Sequence, residues 1–251
     1  MDTNKLFLEN TFLCAILVNV IIISEDQFGF YFLTDKTIFY PQGGGQPNDF
    51  GWISDGELEV KILKARYGEN GIVKHYTESL LTLGLLNKQV AMHIDYRTRE
   101  LNSAYHTAGH WLSQLVNENL QLGLFPVKGH HFAGEAYIEF DGNENLINEN
   151  TIDNIKLAMR IDLQTNPKIL SEIVTSDSPL MKKALLPKNF TPLLDRPLRL
   201  VTIEGYKPVP CGGTHFNQLR DIKSINPIKF YKKGKRIRLS YECSIYYGAY
   251  S

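Results

Sequence analysis

Three cysteines in 251 residues (Cys14, Cys211 and Cys243) are too few for a disulfide framework, and their scarcity points to a reducing compartment. Net charge is lacking too. The 27 basic residues balance 27 acidic ones, so the molecule as a whole offers no strong electrostatic lure to nucleic acid. No hydrophobic run is long enough to cross a bilayer. The one candidate, Phe12 to Ile23, is short, contains Asn19 and follows Glu9 rather than a basic segment, which argues against a membrane span or secretory leader. Its Val and Ile content reads as a buried strand. No repeat or low-complexity tract stands out. The expectation is a soluble, cytoplasmic protein, and 43% apolar with 22% charged residues is ordinary for one.

What is present divides the chain in two. Apolar stretches at 12–23, 29–33, 57–64, 71–76 and 89–94, separated by turn formers such as Glu25-Asp26 and Asn48-Asp49, predict a β-rich first part, a small barrel or sandwich. From about Thr98 to Gln121 the spacing of Leu101, Tyr105, Ala108, Leu112 and Leu115 predicts a helix, and Ile152, Ile155, Met159 and Leu163 predict a second over 150–164. Residues 133–140, 168–175, 198–204, 226–231 and 236–247 read as extended. The fold expected is α+β, with a β domain over 1–92 and an α+β domain over 93–251. Charge follows the division: residues 1–90 carry 7 basic and 11 acidic residues, whereas 91–251 carry 20 and 16.

The chemistry is concentrated in two four-residue steps, His106-Thr-Ala-Gly-His110 and Cys211-Gly-Gly-Thr-His215. Histidines at i and i+4 of a helix share a face and can address one ion. A thiolate with three imidazoles is a donor set that zinc favours. Gly212 and Gly213, flanked by Pro208 and Pro210, are read as a tight turn joining Cys211 to His215. Four protein ligands suit a closed structural site, whereas the bridging of a helix to a distant loop suits a functional one; on sequence both readings stand. His75 and His93 receive no functional reading.

A second unusual segment is Phe39-Tyr-Pro-Gln-Gly-Gly-Gly-Gln46. It lacks the Gly-Lys-Ser/Thr of a nucleotide-binding loop and the spacing of a dinucleotide fingerprint. Its glycines serve either a hairpin turn or the close approach of a ligand to the backbone, and the residues alone do not choose.

With these three motifs in this order, the chain resembles the editing domain of alanyl-tRNA synthetase. It is most similar to the free-standing AlaX-type trans-editing proteins, in the longer form with an N-terminal β-barrel. The resemblance runs from about Asp35 to Lys235 and includes Asp95-Tyr-Arg-Thr-Arg99, Lys128-Gly129 and Ile138-Glu-Phe-Asp141. It implies an N-terminal barrel, Zn2+ held by His106, His110, Cys211 and His215, and hydrolysis of tRNA(Ala) mischarged with serine, with glycine as a second candidate. The chain departs from the family at Val127, where glutamine is frequent, and at His130, where serine is. An aminoacylation core and an oligomerisation domain have no room in it, so the expectation is correction without synthesis.

The resemblance also orders the remaining candidates. Gly43, Gly44, Gly45, Gln46 and Thr214 are expected to meet the substrate; Thr107 is read as orienting a ligand loop. The basic run from Arg220 to Arg238, with Phe230 and Tyr231 interleaved, reads by itself as a solvated edge strand. Beside the resemblance it reads as the path of the tRNA acceptor end, with Lys232, Lys233, Lys235 and Arg236 as contacts. No residue is assigned as a catalytic base, and no protein or membrane partner is implied. A non-catalytic tRNA-binding module and a zinc hydrolase of another ester remain as alternatives. The residue after His106 is Thr107, which speaks against a His-Glu-x-x-His peptidase.

Overall fold

Alternating burial along a long strand organises the first part of the fold, with Val18 and Val20 turned inward and their neighbours outward. The computed structural model describes residues 3–78, 84–120, 122–187, 190 and 197–246. The chain divides into two compact units, 1–102 and 103–249.

The first unit contains β1 (Asn4–Lys5), β2 (Ala15–Asp26), β3 (Gly29–Thr34), β4 (Lys36–Thr37), β5 (Gly51–Ser54), β6 (Glu59–Ile62), β7 (Lys64–Tyr67), β8 (Val73–Tyr76) and β9 (Gln89–Ile94). β1 and β4 form a short parallel pair. The rest build a seven-stranded sheet in the order β6-β5-β9-β2-β3-β8-β7. β2 serves both halves: Ala15–Asn19 pair with β9 and Val20–Asp26 with β3, with a bulge after Val20. The β-rich expectation holds, and no closed barrel is seen: among the described residues no ladder joins β6 to β7. The connecting Leu63 donates its N–H to the Tyr76 carbonyl at 2.9 Å, taking the chain directly into pairing with β8.

Val18, Val20, Phe32, Ile38, Phe39, Ile53, Ile62 and Met92 fill this unit's core. Two polar groups are buried there with full sets of partners. His75 lies parallel to the Phe32 ring at 5.0 Å. Its Nδ1–H donates to the Phe32 carbonyl at 3.3 Å, and its Nε2 accepts from Thr37 Oγ1 at 2.8 Å. Arg99 is wholly buried: its Nε donates to Asp49 at 3.0 Å, Nη1 to the Thr11 carbonyl at 2.7 Å, and Nη2 to the Ile38 carbonyl at 2.5 Å and to Asp49 Oδ2.

Arg99 sits on α1 (Tyr96–Gln114), the predicted first helix, and the division between the units falls within it. The second unit continues with β10 (Phe125–His130), β11 (Tyr137–Asp141), α2 (Thr151–Thr165), β12 (Ile169–Val174), α3 (Pro179–Lys183), β13 (Leu198–Ile203), β14 (Val209–Pro210), β15 (Ile222–Lys233) and β16 (Arg236–Ile245). One antiparallel sheet runs β10-β11-β16-β15 and a smaller one β12-β13-β14. On the larger sheet Ile138, Phe140, Ile237, Leu239 and Tyr241 are buried, and the residues between them form the other face. α2 buries Ile155 and Met159 as its spacing predicts, while Leu163 stays 39% exposed. Asp162 accepts from Trp111 Nε1 at 2.8 Å and also bonds the Tyr206 hydroxyl. β10 and α3 are not anticipated by the sequence reading. β10 contains Pro126 and Gly129, poor strand formers; α3 is one short turn begun by the Ser178 cap and Pro179. No described helix is long and apolar enough to cross a membrane.

Candidate metal centre

Helical geometry does what the i, i+4 spacing predicts. His106 and His110 project from one side of α1 with ring centroids 4.8 Å apart. The loop after β14 brings the other two residues to the same point: the His215 ring lies 4.4 Å from that of His106 and 4.8 Å from that of His110. All four ligand atoms of His106, His110, Cys211 and His215 lie within 4.8 Å of one another. Cys211 Sγ stands 3.6 Å from His106 Nε2 and 3.2 Å from His215 Nε2. A tetrahedral ion with bonds of about 2.0–2.3 Å separates its donors by roughly 3.3–3.7 Å. The donor chemistry and these separations fit such an ion.

The loop is held from beneath. Arg199 on β13 accepts at its carbonyl from the Cys211 N–H at 3.0 Å, and its Nη1 donates to the carbonyls of Cys211 at 3.0 Å and Gly213 at 2.9 Å. Gly213 N–H points at Cys211 Sγ, 3.3 Å away. Neither Gly212 nor Gly213 has a positive φ, and a Cβ on Gly212 would meet nothing within 4 Å. The turn therefore does not use the conformational freedom that its two glycines suggest; the arginine clamp shapes it.

Burial makes the four groups neutral when no cation is near. It pushes the His110 pKa down to about 4, moves His106 and His215 well below the usual imidazole range, and raises the Cys211 thiol to about 11. Three imidazole lone pairs converge with one thiol, and a cation would favour the thiolate. His110 is a half-buried member of the cage, while His106 and His215 are buried.

Hydroxyls around the cage hold its ligands. Thr107 Oγ1 lies 3.2 Å from His215 Nδ1 and accepts the Phe216 N–H at 3.1 Å, fixing the ring whose Nε2 faces the cage. That is the orienting role read for Thr107. Thr214, fully buried, shares a 2.7 Å bond with Ser103.

A fifth imidazole belongs to this neighbourhood and was missed in the sequence. His131 is 4% exposed, with its ring 4.8 Å from that of His106. Tyr241 donates its hydroxyl to the Tyr105 carbonyl at 2.9 Å, so at 2.6 Å it accepts from His131 Nδ1–H and fixes that tautomer. Space for the ring comes from two glycines: a Cβ on Gly109 would lie 2.3 Å, and one on Gly129 2.2 Å, from His131 atoms. The adjacent His130, singled out as a departure, faces the opposite side of the sheet, in register with Tyr137.

The other candidates fall as follows. Gly43 and Gln46 bond each other's backbone, Gln46 N–H to Gly43 O at 2.8 Å and Gly43 N–H to Gln46 O at 3.2 Å, around Gly44 (φ 52°) and Gly45 (φ 81°). The segment is a two-residue hairpin turn, and Gln46 is buried. In the basic run, Lys233 pairs in register with Arg236. Lys232 faces the other way with Ile237 and bonds Glu144 at 2.7 Å, Arg236 is ion-paired with Asp141, and Lys235 lies in the exposed turn.

No protein-family model matches the chain. Among curated proteins it is 30% identical over 235 residues to an alanyl-tRNA editing protein AlaX-M of Methanosarcina mazei, covering 85% of this chain and 86% of that one. It is 29% identical to the AlaX-M of Pyrococcus horikoshii, with 92% and 91% covered. Against the alanyl-tRNA editing protein AlaX-L of the same organism identity is 27% over 95% of this chain, which spans only 57% of that longer relative.

Proposed function

The chain belongs to the AlaX-type alanyl-tRNA editing proteins, and from that premise we propose that it is a zinc-dependent deacylase of tRNA(Ala) mischarged with serine, with glycine as the second substrate. The observation that carries the reading is the convergence of His106, His110, Cys211 and His215 to within 4.8 Å in a chain of this family. Four intact donors argue against a binding relic, which could shed them freely. Hydrolysis adds the elements of water across the ester: oxygen to the acyl carbon, a proton to the departing ribose oxygen. An aminoacyl ester is already activated, so the site needs chiefly to position substrate and stabilise charge. Bound zinc would supply Lewis acidity and a fixed positive charge at the four ligands.

The chain's own residues set the geometry. His106 and His215 are buried, Thr107 fixes the His215 ring, and the acyl group would enter beside the half-buried His110. Serine would be preferred over alanine by pairing its hydroxyl with groups left unsatisfied when alanine binds, a stronger discrimination than size provides. We assign substrate contacts to Thr214 and to the loop Gly43, Gly44, Gly45 and Gln46, and tRNA contacts to Lys232, Lys233, Lys235 and Arg236. The test is deacylation of Ser-, Gly- and Ala-tRNA(Ala) by the purified protein, before and after chelation. Fast loss of serine, slow loss of alanine and inactivation by chelator are expected. Equal rates on serine and alanine, or no hydrolysis by zinc-loaded protein, overturn the reading.

A further inference from the structure

The face of the four-stranded sheet opposite the buried Ile138, Phe140 and Leu239 carries a row of planar side chains. Phe132 and His130 stack at 4.3 Å with 7° between their planes, and His130 continues onto Tyr137 at 5.0 Å and 27°. The Arg238 guanidinium covers the Tyr137 ring at 3.9 Å and is held by Glu139 at 2.5 Å. Register then places Tyr231 beside Arg238 and Lys233 beside Arg236. The stack borders an open cleft of about 520 Å³, lined by His130, Tyr137, Tyr231, Lys233 and Arg238 among others.

We propose that this face is the stacking platform for the unpaired nucleotides at the 3′ end of the tRNA, an inference that rests on the editing reading above. Three observations select nucleic acid as the occupant. The planar groups are pre-stacked, so a base adds to the row, on Phe132 at one end or Arg238 at the other, at little ordering cost. Lys128, Lys229 and Lys233 stand on the same face, and among the described residues Lys128 and Lys233 carry no ion pair, leaving positive charge for phosphates alongside the acidic Glu135 and Glu242 that also line the cleft. Third, the face joins the metal centre at one point. β10 is an edge strand, and at its end His130 belongs to the platform while the next residue, His131, is buried beside His106. A strand of nucleotides crossing that edge at Gly129–His130 passes from stacked bases to the cage.

The platform accounts for basic residues that a simple charged run does not sort. Lys233 lies on it; Lys232, paired with Glu144 and facing the other way, does not, so the tRNA contact proposed for Lys232 would be made off the platform.

The experiment uses the full chain loaded with zinc. A 3′-labelled, uncharged oligonucleotide ending in the tRNA acceptor sequence ACCA is titrated against wild type, Tyr231→Ala, Phe132→Ala and Lys233→Glu. Seryl-tRNA(Ala) and 3′-O-seryl-adenosine, which lacks the preceding nucleotides, are compared as substrates. Each aromatic truncation is expected to weaken oligonucleotide binding about tenfold and to lower the ratio of kcat/KM on seryl-tRNA to that on seryl-adenosine by a similar factor. Lys233→Glu, on an exposed side chain, should act in the same direction and flatten the salt dependence without threatening the fold. Oligonucleotide affinity within twofold of wild type in all three variants overturns the platform, as does a concentration-dependent dimer that blocks the oligonucleotide. If wild type binds the oligonucleotide through these residues yet hydrolyses neither ester, the editing reading falls and the platform stands.

Discussion

Arg99 with Asp49 in the first unit, and the His106–His110–Cys211–His215 cage in the second, are both buried polar clusters, but only one is complete in itself. Arg99 spends its donors on Asp49, Thr11 and Ile38, and Asp49 also accepts the Tyr40 N–H at 2.6 Å. Charge meets charge within the protein. The cage instead gathers three imidazoles and a thiol that burial keeps neutral, with no pair of opposite charges among the four, and their donor atoms suit an added cation. A finished buried cluster serves the fold; an unfinished one marks the site.

The largest effect should come from breaking the unfinished cluster. His106→Ala should abolish zinc binding, read by metal analysis, and lower deacylation at least a hundredfold, about 2.7 kcal/mol of activation free energy. Chelated wild type should lose thermal stability in proportion to how tightly zinc binds the folded state. Full metal occupancy in the double variant His106→Ala plus His215→Ala would remove the cage as the metal centre.

Breaking the finished cluster should cost stability instead. Arg99→Met leaves the Asp49 carboxylate buried without its partner, and about 3–5 kcal/mol of unfolding free energy should be lost. Zinc content per folded molecule should not change. A variant that melts like wild type but has lost its metal would reverse the contrast between the two clusters.

The same contrast explains what could be read in the sequence. The cage was legible because two of its links are local: an i, i+4 pair on a helix and a Cys-x-x-x-His step. The arginine of Asp95-Tyr-Arg-Thr-Arg99 was noticed but its partner was not, since Asp49 is 50 residues away. His131 escaped for the same reason: Tyr241 lies 110 residues on, and the two glycines that admit the ring sit on different elements. Strand periodicity revealed most of the first unit's strands yet not whether their sheet closes, because closure depends on which edges pair. β10 was hidden by Pro126 and Gly129, residues that a strand normally avoids.

His75 offers a finer probe of the finished kind of cluster. Burial lowers its pKa to about 4 from an ordinary 6.5. Above pH 6.5 the folded and unfolded chains both hold it neutral, and its contribution is fully present. As pH falls from about 6.5 towards 4 the unfolded chain takes up a proton that the folded chain refuses, so about 3 kcal/mol should be lost across that window. The comparison is wild type against His75→Gln by urea unfolding at several pH values, since acid acts on the cage equally in both. The stability difference between them should shift by that amount in favour of the variant as pH falls. A difference independent of pH would show that His75 is protonated as easily inside as outside.

The smallest effect concerns the Gly-rich loop, which belongs structurally with the finished clusters and functionally, on the present proposal, with the unfinished one. Gly44 holds φ 52° at the tip of a two-residue hairpin turn, a conformation that a β-branched residue resists at about 1–2 kcal/mol. Gly44→Val should therefore lower stability by that amount, and any loss of deacylation in it confounds fold with contact. Asparagine tolerates the left-handed region. At Gly44 its Cβ would meet only the Tyr40 hydroxyl, at 3.8 Å. Gly44→Asn should then unfold within about 0.5 kcal/mol of wild type by urea titration. If the bare backbone of this turn approaches the acceptor end, the added side chain should still raise KM for seryl-tRNA(Ala) several-fold. Unchanged KM and unchanged stability together would make the loop a turn and nothing more, and the substrate contacts would have to be sought around the cage itself, beginning with His131.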